Sequence, residues 1–182
     1  MSALFKYVHL KRNAICDTLF DVTFIQLLSK LLPSQIAYAH CDIPCKIYDP
    51  HQAQVAAHSV IRMTQMLIEA ETTEDGIKRE HHVARLTKVK EEHAEIVKHE
   101  IRVIWGDYFK EEQIQKVPEI SNLVHEIMMT ASKTKQEVNL EETKKLLSLV
   151  QEFAEKFFLT KGFEIMRIPS GFPTEGEIVI HK

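Results

Sequence analysis

Residues 40 to 48 read His-Cys-Asp-Ile-Pro-Cys-Lys-Ile-Tyr, and two of the chain's three cysteines fall inside this stretch beside a histidine. Thiolates and an imidazole so close together point to metal binding or to thiol redox chemistry. In a helix Cys41 and Cys45 would share a face. Pro44, however, lacks an amide donor and disfavours helical geometry at Ile43, so a compact hook is expected in which both thiols can point at one ion. Three chemistries compete for it. A structural zinc site takes four side-chain ligands, usually as two paired half-sites, and no second CxxC or HxxxH completes this one. Two thiols four apart can also cycle through a disulfide, but the thioredoxin-type pair has CxxC spacing in a βαβ context, which is absent.

The third chemistry depends on what precedes the hook. Ala37-Tyr38-Ala39 is a small-x-small pattern of the kind found at processing sites, preceded by Lys6, Lys11 and Arg12 and then by a largely apolar stretch from Ala14 to Leu32. Asp17, Asp21 and Lys30 interrupt that stretch. They exclude a transmembrane helix of about 20 unbroken apolar residues and fit a standard export signal poorly. Residues 1–39 are therefore read as a removable leader, the alternative being an N-terminal arm that is never cut. If cleavage follows Ala39, His40 becomes the N-terminus and offers a free α-amine as well as its imidazole. The Cys41 amide nitrogen then lies between that amine and the Cys41 thiolate. The amine, with an ordinary pKa of about 7.7 to 8.0, is available near neutral pH, and a bound metal would displace the thiol and amide protons. Amine, amide and two thiolates make a planar N2S2 set, which suits Ni(II) or Cu(II) better than zinc, with the imidazole as an axial ligand. Such anionic donors stabilise a higher oxidation state, so the chemistry is one-electron redox and not Lewis-acid hydrolysis.

Helices must carry this hook. The chain has 182 residues, 45% hydrophobic and 27% charged, with 5 Gly and 6 Pro, which fits one globular domain with a sizeable core. A formal charge of -3, with Lys and Arg interleaved with Glu, gives no basic footprint for nucleic acid. Three cysteines are too few for a disulfide framework. Asp49-Pro50 predicts an N-cap and first helical position, with Val55, Met63, Met66, Leu67 and Ala70 following at helical spacing to about residue 71. Thr73 or Asp75 can cap a second helix of roughly 50 Å, whose apolar face runs through Ile77, Ala84, Val89, His93, Ile96, Val97, Ile101 and Ile104 to Phe109. A third helix is expected from about Pro118 to Ser132, and Asn139 can cap a fourth carrying Leu146, Val150, Phe153, Phe157 and Phe158. The fold class expected is all-α, an antiparallel four-helix bundle over residues 40–162 with the hook at its N-terminus. The Met and Phe positions in these stripes read as core. The tail, residues 163–182, either forms two short strands around SGFPTEGE or is a loose extension.

The stretch HCDIPCKIYDP resembles the nickel hook of the nickel-containing superoxide dismutases, whose pattern is His-Cys-x-x-Pro-Cys-x-x-Tyr at the mature N-terminus. KHEIRVIWGDYFK, residues 98–110, resembles the segment near the end of that family's second helix, and the similarity covers roughly residues 40–161. The resemblance implies a four-helix bundle assembled as a homohexamer, one nickel ion per subunit, and a precursor whose leader is removed by a dedicated peptidase between Ala39 and His40. It implies His40 as donor of the α-amine and, in the oxidised state, of the axial imidazole. Cys41 would give its amide nitrogen and thiolate, and Cys45 the second thiolate. Nickel would alternate between Ni(II) and Ni(III) while one superoxide leaves as dioxygen and another, with two protons, as hydrogen peroxide. Tyr48 matches the tyrosine beside the open face, the Asp42 backbone and Pro44 shape the hook, and Tyr108 matches a second tyrosine behind the site.

One departure concerns the ring of His40. In familiar bacterial members a carboxylate on the first helix and an arginine on the second orient the axial imidazole, and the corresponding positions here hold Ala56 and His93. A differently tuned axial bond is expected, with His93 as one substitute. The other histidines, including His58, His81, His82, His99 and His125, read as solvated or intersubunit positions, and Trp105 as core. The competing functional reading is a non-catalytic metal-binding or metal-delivery bundle that uses the uncleaved Cys-x3-Cys hook. Thiolates that must stay reduced until metal binds favour cytoplasmic assembly, with export or organelle targeting by the leader as the alternative. Cys16 has no assigned role.

Overall fold

The computed structural model describes residues 46–73 and 76–182. Its elements in chain order are helices α1 (His51–Thr73), α2 (Gly76–Asp107), α3 (Glu111–Lys116), α4 (Ile120–Gln136) and α5 (Leu140–Lys161), then strands β1 (Ile165–Pro169) and β2 (Glu177–His181). The four long helices pack in a ring, α1 on α2, α2 on α4, α4 on α5 and α5 back on α1. Ion pairs give their directions. Lys135 of α4 meets Glu95 of α2, and Lys90 of α2 meets the carbonyl of Glu137 at the end of α4, so these two run antiparallel. Lys133–Glu142 and Lys145–Glu126 do the same for α4 and α5. The expected antiparallel four-helix bundle is the fold.

Local chemistry accounts for the ends. The Asp49 carboxylate accepts from the amide of His51 at 2.7 Å, so Asp49 caps α1 with Pro50 just inside, as the sequence predicts. Asn139 accepts from the amides of Glu141 and Glu142 at 3.0 and 3.2 Å, capping α5. Gly162 ends α5 in the left-handed region at φ 74°, where a side chain would be strained. Of the caps offered for α2, Asp75 lies outside the described residues and Thr73 is the last residue of α1. The short α3 is not visible as an apolar period because it is a single exposed stretch, and it starts where Gln113 accepts from the amide of Lys110 at 3.1 Å.

The core is the shared inner face of the ring. Phe153, Phe157, Ile101, Ile104, Ile127 and Leu146 are fully buried in it. Ala53, Ala56 and Ala57 form the small inner face of α1, which lets the neighbouring helices approach closely. The stripe drawn for α2 holds from Leu86 onward but fails at its start, where Ile77 and Ala84 are exposed. The reason is length: α2 has 32 residues and α4 only 17, so the first turns of α2 run past the helices that would cover them. The methionine positions Met63, Met66 and Met128 are half-buried, at the margin of the core and not inside it. Lys90 is the unexpected interior residue. Its stem fills the core and its ammonium donates to the Glu137 carbonyl at 2.7 Å, while burial pushes its pKa down.

The tail takes the ordered alternative. β1 and β2 pair antiparallel with Ile168 opposite Ile178 and Met166 opposite Ile180. The fold therefore adds a two-stranded hairpin to the helices, and it docks on α1 and α5 with Ile178 and Val179 buried. Its outer strand ends in Pro169, which has no amide to offer along the open edge. Asn139→Ala is expected to cost about 1 kcal/mol of stability, seen as a lower urea midpoint at unchanged slope.

Candidate metal centre

Of the residues the sequence singles out, Ala39, His40, Cys41, Asp42, Pro44 and Cys45 lie outside the described residues, as does Cys16. Among the described residues no three His, Cys, Asp or Glu side chains stand together as a metal-holding group. What is described is Tyr48 and the start of α1, Tyr108 just after α2, and the end of α5.

Tyr48 and Tyr108 are brought together. Sixty residues separate them in the chain, yet their rings lie 6.1 Å apart, tilted by 55°. Tyr108 is held edge-on against Phe157 at 4.8 Å and against Phe109 at 5.2 Å. Its hydroxyl lies 2.9 Å from the Thr160 hydroxyl, which in turn donates to the Phe157 carbonyl at 2.7 Å. Thr160 thus spends its proton on the backbone, so the phenol donates to it. An aromatic body in the core with its polar tip satisfied gives Tyr108 one orientation.

Lys161 fastens the same corner. Its ammonium donates to the Tyr48 carbonyl at 3.5 Å and lies 4.5 Å from the Phe157 ring centroid and 5.6 Å from that of Tyr108. A cation over two aromatic faces is attracted to both, so this lysine links the segment ahead of α1 to the end of α5. Beside it a cavity of about 280 Å³ is lined by Tyr48, Asp49, His51, Gln52, Glu100 and Ile104. That cavity opens at the junction of α1 and α2, with Tyr48 and the acidic residues Asp49 and Glu100 in its lining.

His93 lies elsewhere on the α1–α2 seam. Its Nδ1 donates to the Val89 carbonyl of its own helix at 2.8 Å, which fixes the tautomer and leaves Nε2 as the acceptor. It lines a second cavity, about 270 Å³, with His58, Ser59, Arg62, Phe172 and Thr174. Ala56 is buried and contributes only a methyl group. Two expectations are overturned here. His58, read as a solvated or intersubunit position, is only 3% exposed, because the tail hairpin folds over it. Trp105, read as core, is 38% exposed on the outer side of α2, next to Gly106 and Asp107, which are exposed too. His81, His99 and His125 are exposed as expected. The residues missed by sequence reasoning are Lys161, Thr160 and Gln54. Each acts through a contact with a distant part of the chain, and no local pattern signals that.

Residues 35–161 match the family of nickel-containing superoxide dismutases. The chain is 34% identical over 136 residues to the nickel superoxide dismutase of Streptomyces coelicolor, covering 74% of this chain and 98% of that one. The enzyme of Streptomyces seoulensis matches to the same extent. Among solved structures, native nickel superoxide dismutase superposes with a TM-score of 0.60 at 34% identity, covering 67% of this chain and 99% of that one. A nickel superoxide dismutase with ligation corresponding to the oxidised state gives 0.61 at 33% identity. A family match that starts ahead of the hook and runs to the end of the last helix, over a bundle of the same fold, places this chain in the nickel-containing superoxide dismutase family.

Proposed function

We propose that the chain is a superoxide dismutase whose nickel is held by His40, Cys41 and Cys45 after cleavage behind Ala39. The observation that carries this reading is that the family match begins at residue 35 and so takes in the whole segment from Ala39 to Tyr48. Nickel is the family's cofactor, and the donors in this segment suit it. The α-amine and imidazole of His40, the amide and thiolate of Cys41 and the thiolate of Cys45 are borderline and soft donors that favour Ni over hard cations. When bound, nickel supplies a one-electron couple that lets superoxide be oxidised to dioxygen in one half of the cycle and reduced to hydrogen peroxide in the other.

The chain's own residues do the rest. A peptide bond between Ala39 and His40 turns the His40 nitrogen into an amide and removes its basic lone pair, so processing creates that donor. Tyr48 offers a hydroxyl where a small anion would arrive, and its ring is kept in place by Tyr108 at 6.1 Å. Tyr108, its own hydroxyl engaged by Thr160, acts as a positioning residue. The Asp42 backbone and Pro44 give the hook its shape. With Ala56 where the resemblance implies a carboxylate, His93, which lines the other cavity on the α1–α2 seam, is one substitute proposed for orienting the His40 ring, its Nε2 acting as acceptor.

In this reading residues 1–39 are a pro-segment removed by a processing peptidase, and the mature subunits form a homohexamer with one nickel each. No helix among the described residues is long and apolar enough to cross a membrane. Assembly in the cytoplasm suits Cys41 and Cys45, whose thiolates must stay reduced until the metal is bound.

The deciding experiment compares the protein cut after Ala39 with the full-length chain, both loaded with nickel under the same conditions. The cut protein is expected to dismutate superoxide and to show one nickel per subunit by native mass spectrometry, and the full-length chain to be inactive. Equal activity, or an unprocessed nickel-free chain as the functional form in cells, would instead favour the metal-delivery bundle. His93→Ala is expected to change the electron paramagnetic resonance signal of the oxidised centre and to lower turnover. If both stay as in the parent protein, His93 does not orient the ring.

A further inference from the structure

Residues 162–182 lie beyond the family match, which ends at 161, and they are what buries His58. The hairpin is held to the bundle by polar groups that the bundle itself supplies. Gln54 takes both backbone groups of Val179, donating to its carbonyl at 2.9 Å and accepting from its amide at 2.8 Å, so it pairs with β2 as another strand would. Gln151 of α5 donates to the Glu177 carbonyl at 2.7 Å. His58 contacts the same carbonyl through Nε2 at 3.2 Å, and its Nδ1 lies 2.8 Å from the Thr174 hydroxyl. A carbonyl only accepts, so Nε2 carries the proton, and in the neutral ring Nδ1 accepts from the Thr174 hydroxyl, which also lies 3.5 Å from the Glu175 carbonyl. The ring of Phe172 closes over the imidazole edge-on at 5.1 Å.

We propose that the C-terminal hairpin is a releasable clamp on the first turns of α1, and that protonation of His58 opens it. In the docked state both ring nitrogens are used by a neutral imidazole. A second ring proton turns Nδ1 from acceptor into donor, forces Thr174 to turn its hydroxyl away, and places a charge on a side chain that is only 3% exposed. Neither hydrogen bond of His58 is to a carboxylate that would compensate. The charged and titratable groups around it do not favour the cation. On its own helix Arg62 lines the adjoining cavity and is paired with Glu69 at 3.3 Å. From α2 His93 lines the same cavity. From the hairpin come Glu175 and Glu177, and the Glu177 carboxylate faces Arg167 at 3.6 Å, whose Nε is bonded to Glu155 of α5 at 2.7 Å. Further along β2, His181 and His51 line a small cavity with Asp49 and Val179.

Burial holds the His58 pKa below its ordinary 6.5, with the Glu177 bond opposing in part. The docked state therefore takes up a proton less readily than the released state. Docking is at full strength above about pH 6.5 and weakens as pH falls from there through the lower docked value. Opening would free Gln54 and the turn of α1 beside Asp49 and His51, the residues next to Tyr48, so the clamp reaches the entrance of the proposed centre.

Hydrogen exchange of the full chain tests this, corrected for intrinsic rates and read at about pH 7.5 and about pH 5.5. The Val179 amide, bonded to Gln54 only when docked, is expected to lose protection by up to about tenfold per pH unit below 6.5, while the Phe153 amide in the core does not follow. His58→Gln keeps a donor and an acceptor but cannot titrate, and should abolish the difference. His51 and His181 remain in that variant, so pH-dependent opening that survives in it overturns the proposal. So does equal protection of Val179 at both pH values in the parent protein. Should the glutamine fail to hold the hairpin, titration of the His58 ring by NMR in the parent protein decides. Its midpoint must lie below 6.5, at the lower end of the pH range over which Val179 protection falls, and protection that falls only below that midpoint, or an unshifted midpoint, refutes the idea.

Discussion

Everything at the site end of the molecule depends on an aromatic junction where one helix begins and two others end. Phe157 of α5 is fully buried, Tyr108 after α2 lies edge-on against it, and Tyr48 before α1 leans on Tyr108. Each ring removes apolar surface from water and can do so only if the three helix ends meet at one place. Lys161 joins the junction through cation–π contact and a bond to the Tyr48 carbonyl, so the chain enters α1 from a fixed point.

The ring of helices serves this arrangement by being ordinary. Its core is aliphatic and aromatic, its helices alternate in direction, and its surface is charged with both signs interleaved. No polar side-chain atom buried among the described residues lacks a partner, and that holds for Lys90 and His58 as well. Those two are the costly residues, each desolvated, Lys90 held by the Glu137 carbonyl and His58 by the Glu177 carbonyl and the Thr174 hydroxyl. They mark where the bundle is tied to a connecting segment or to the tail, and such ties are where conformational change is cheapest.

Much of the fold was legible because it rests on local signals. Asp49-Pro50 and Asn139 are capping sequences whose side chains reach amides two or three residues on, and the structure uses both in that way. The apolar period located the four helices, since a buried stripe must recur at helical spacing. It misplaced Ile77 and Ala84, because a stripe does not reveal how long the partner helices are. It also misjudged Trp105, whose size suggested burial although its position on α2 faces outward. The tail could not be settled from its own residues: EIVI pairs with β1, and Gln54, Gln151 and His58 hold that hairpin to the bundle.

The donor chemistry of the proposed centre belongs to the sequence by itself. His40, Cys41 and Cys45 lie within six residues of one another and next to a processing pattern, so their proximity needs no folding. Tertiary structure alone decided the pairing of Tyr48 with Tyr108, the role of Lys161 and the burial of His58. These link residues 48 with 108, 48 with 161, and 58 with 174, and contacts across such separations exist only after the apolar faces of the helices have been driven together.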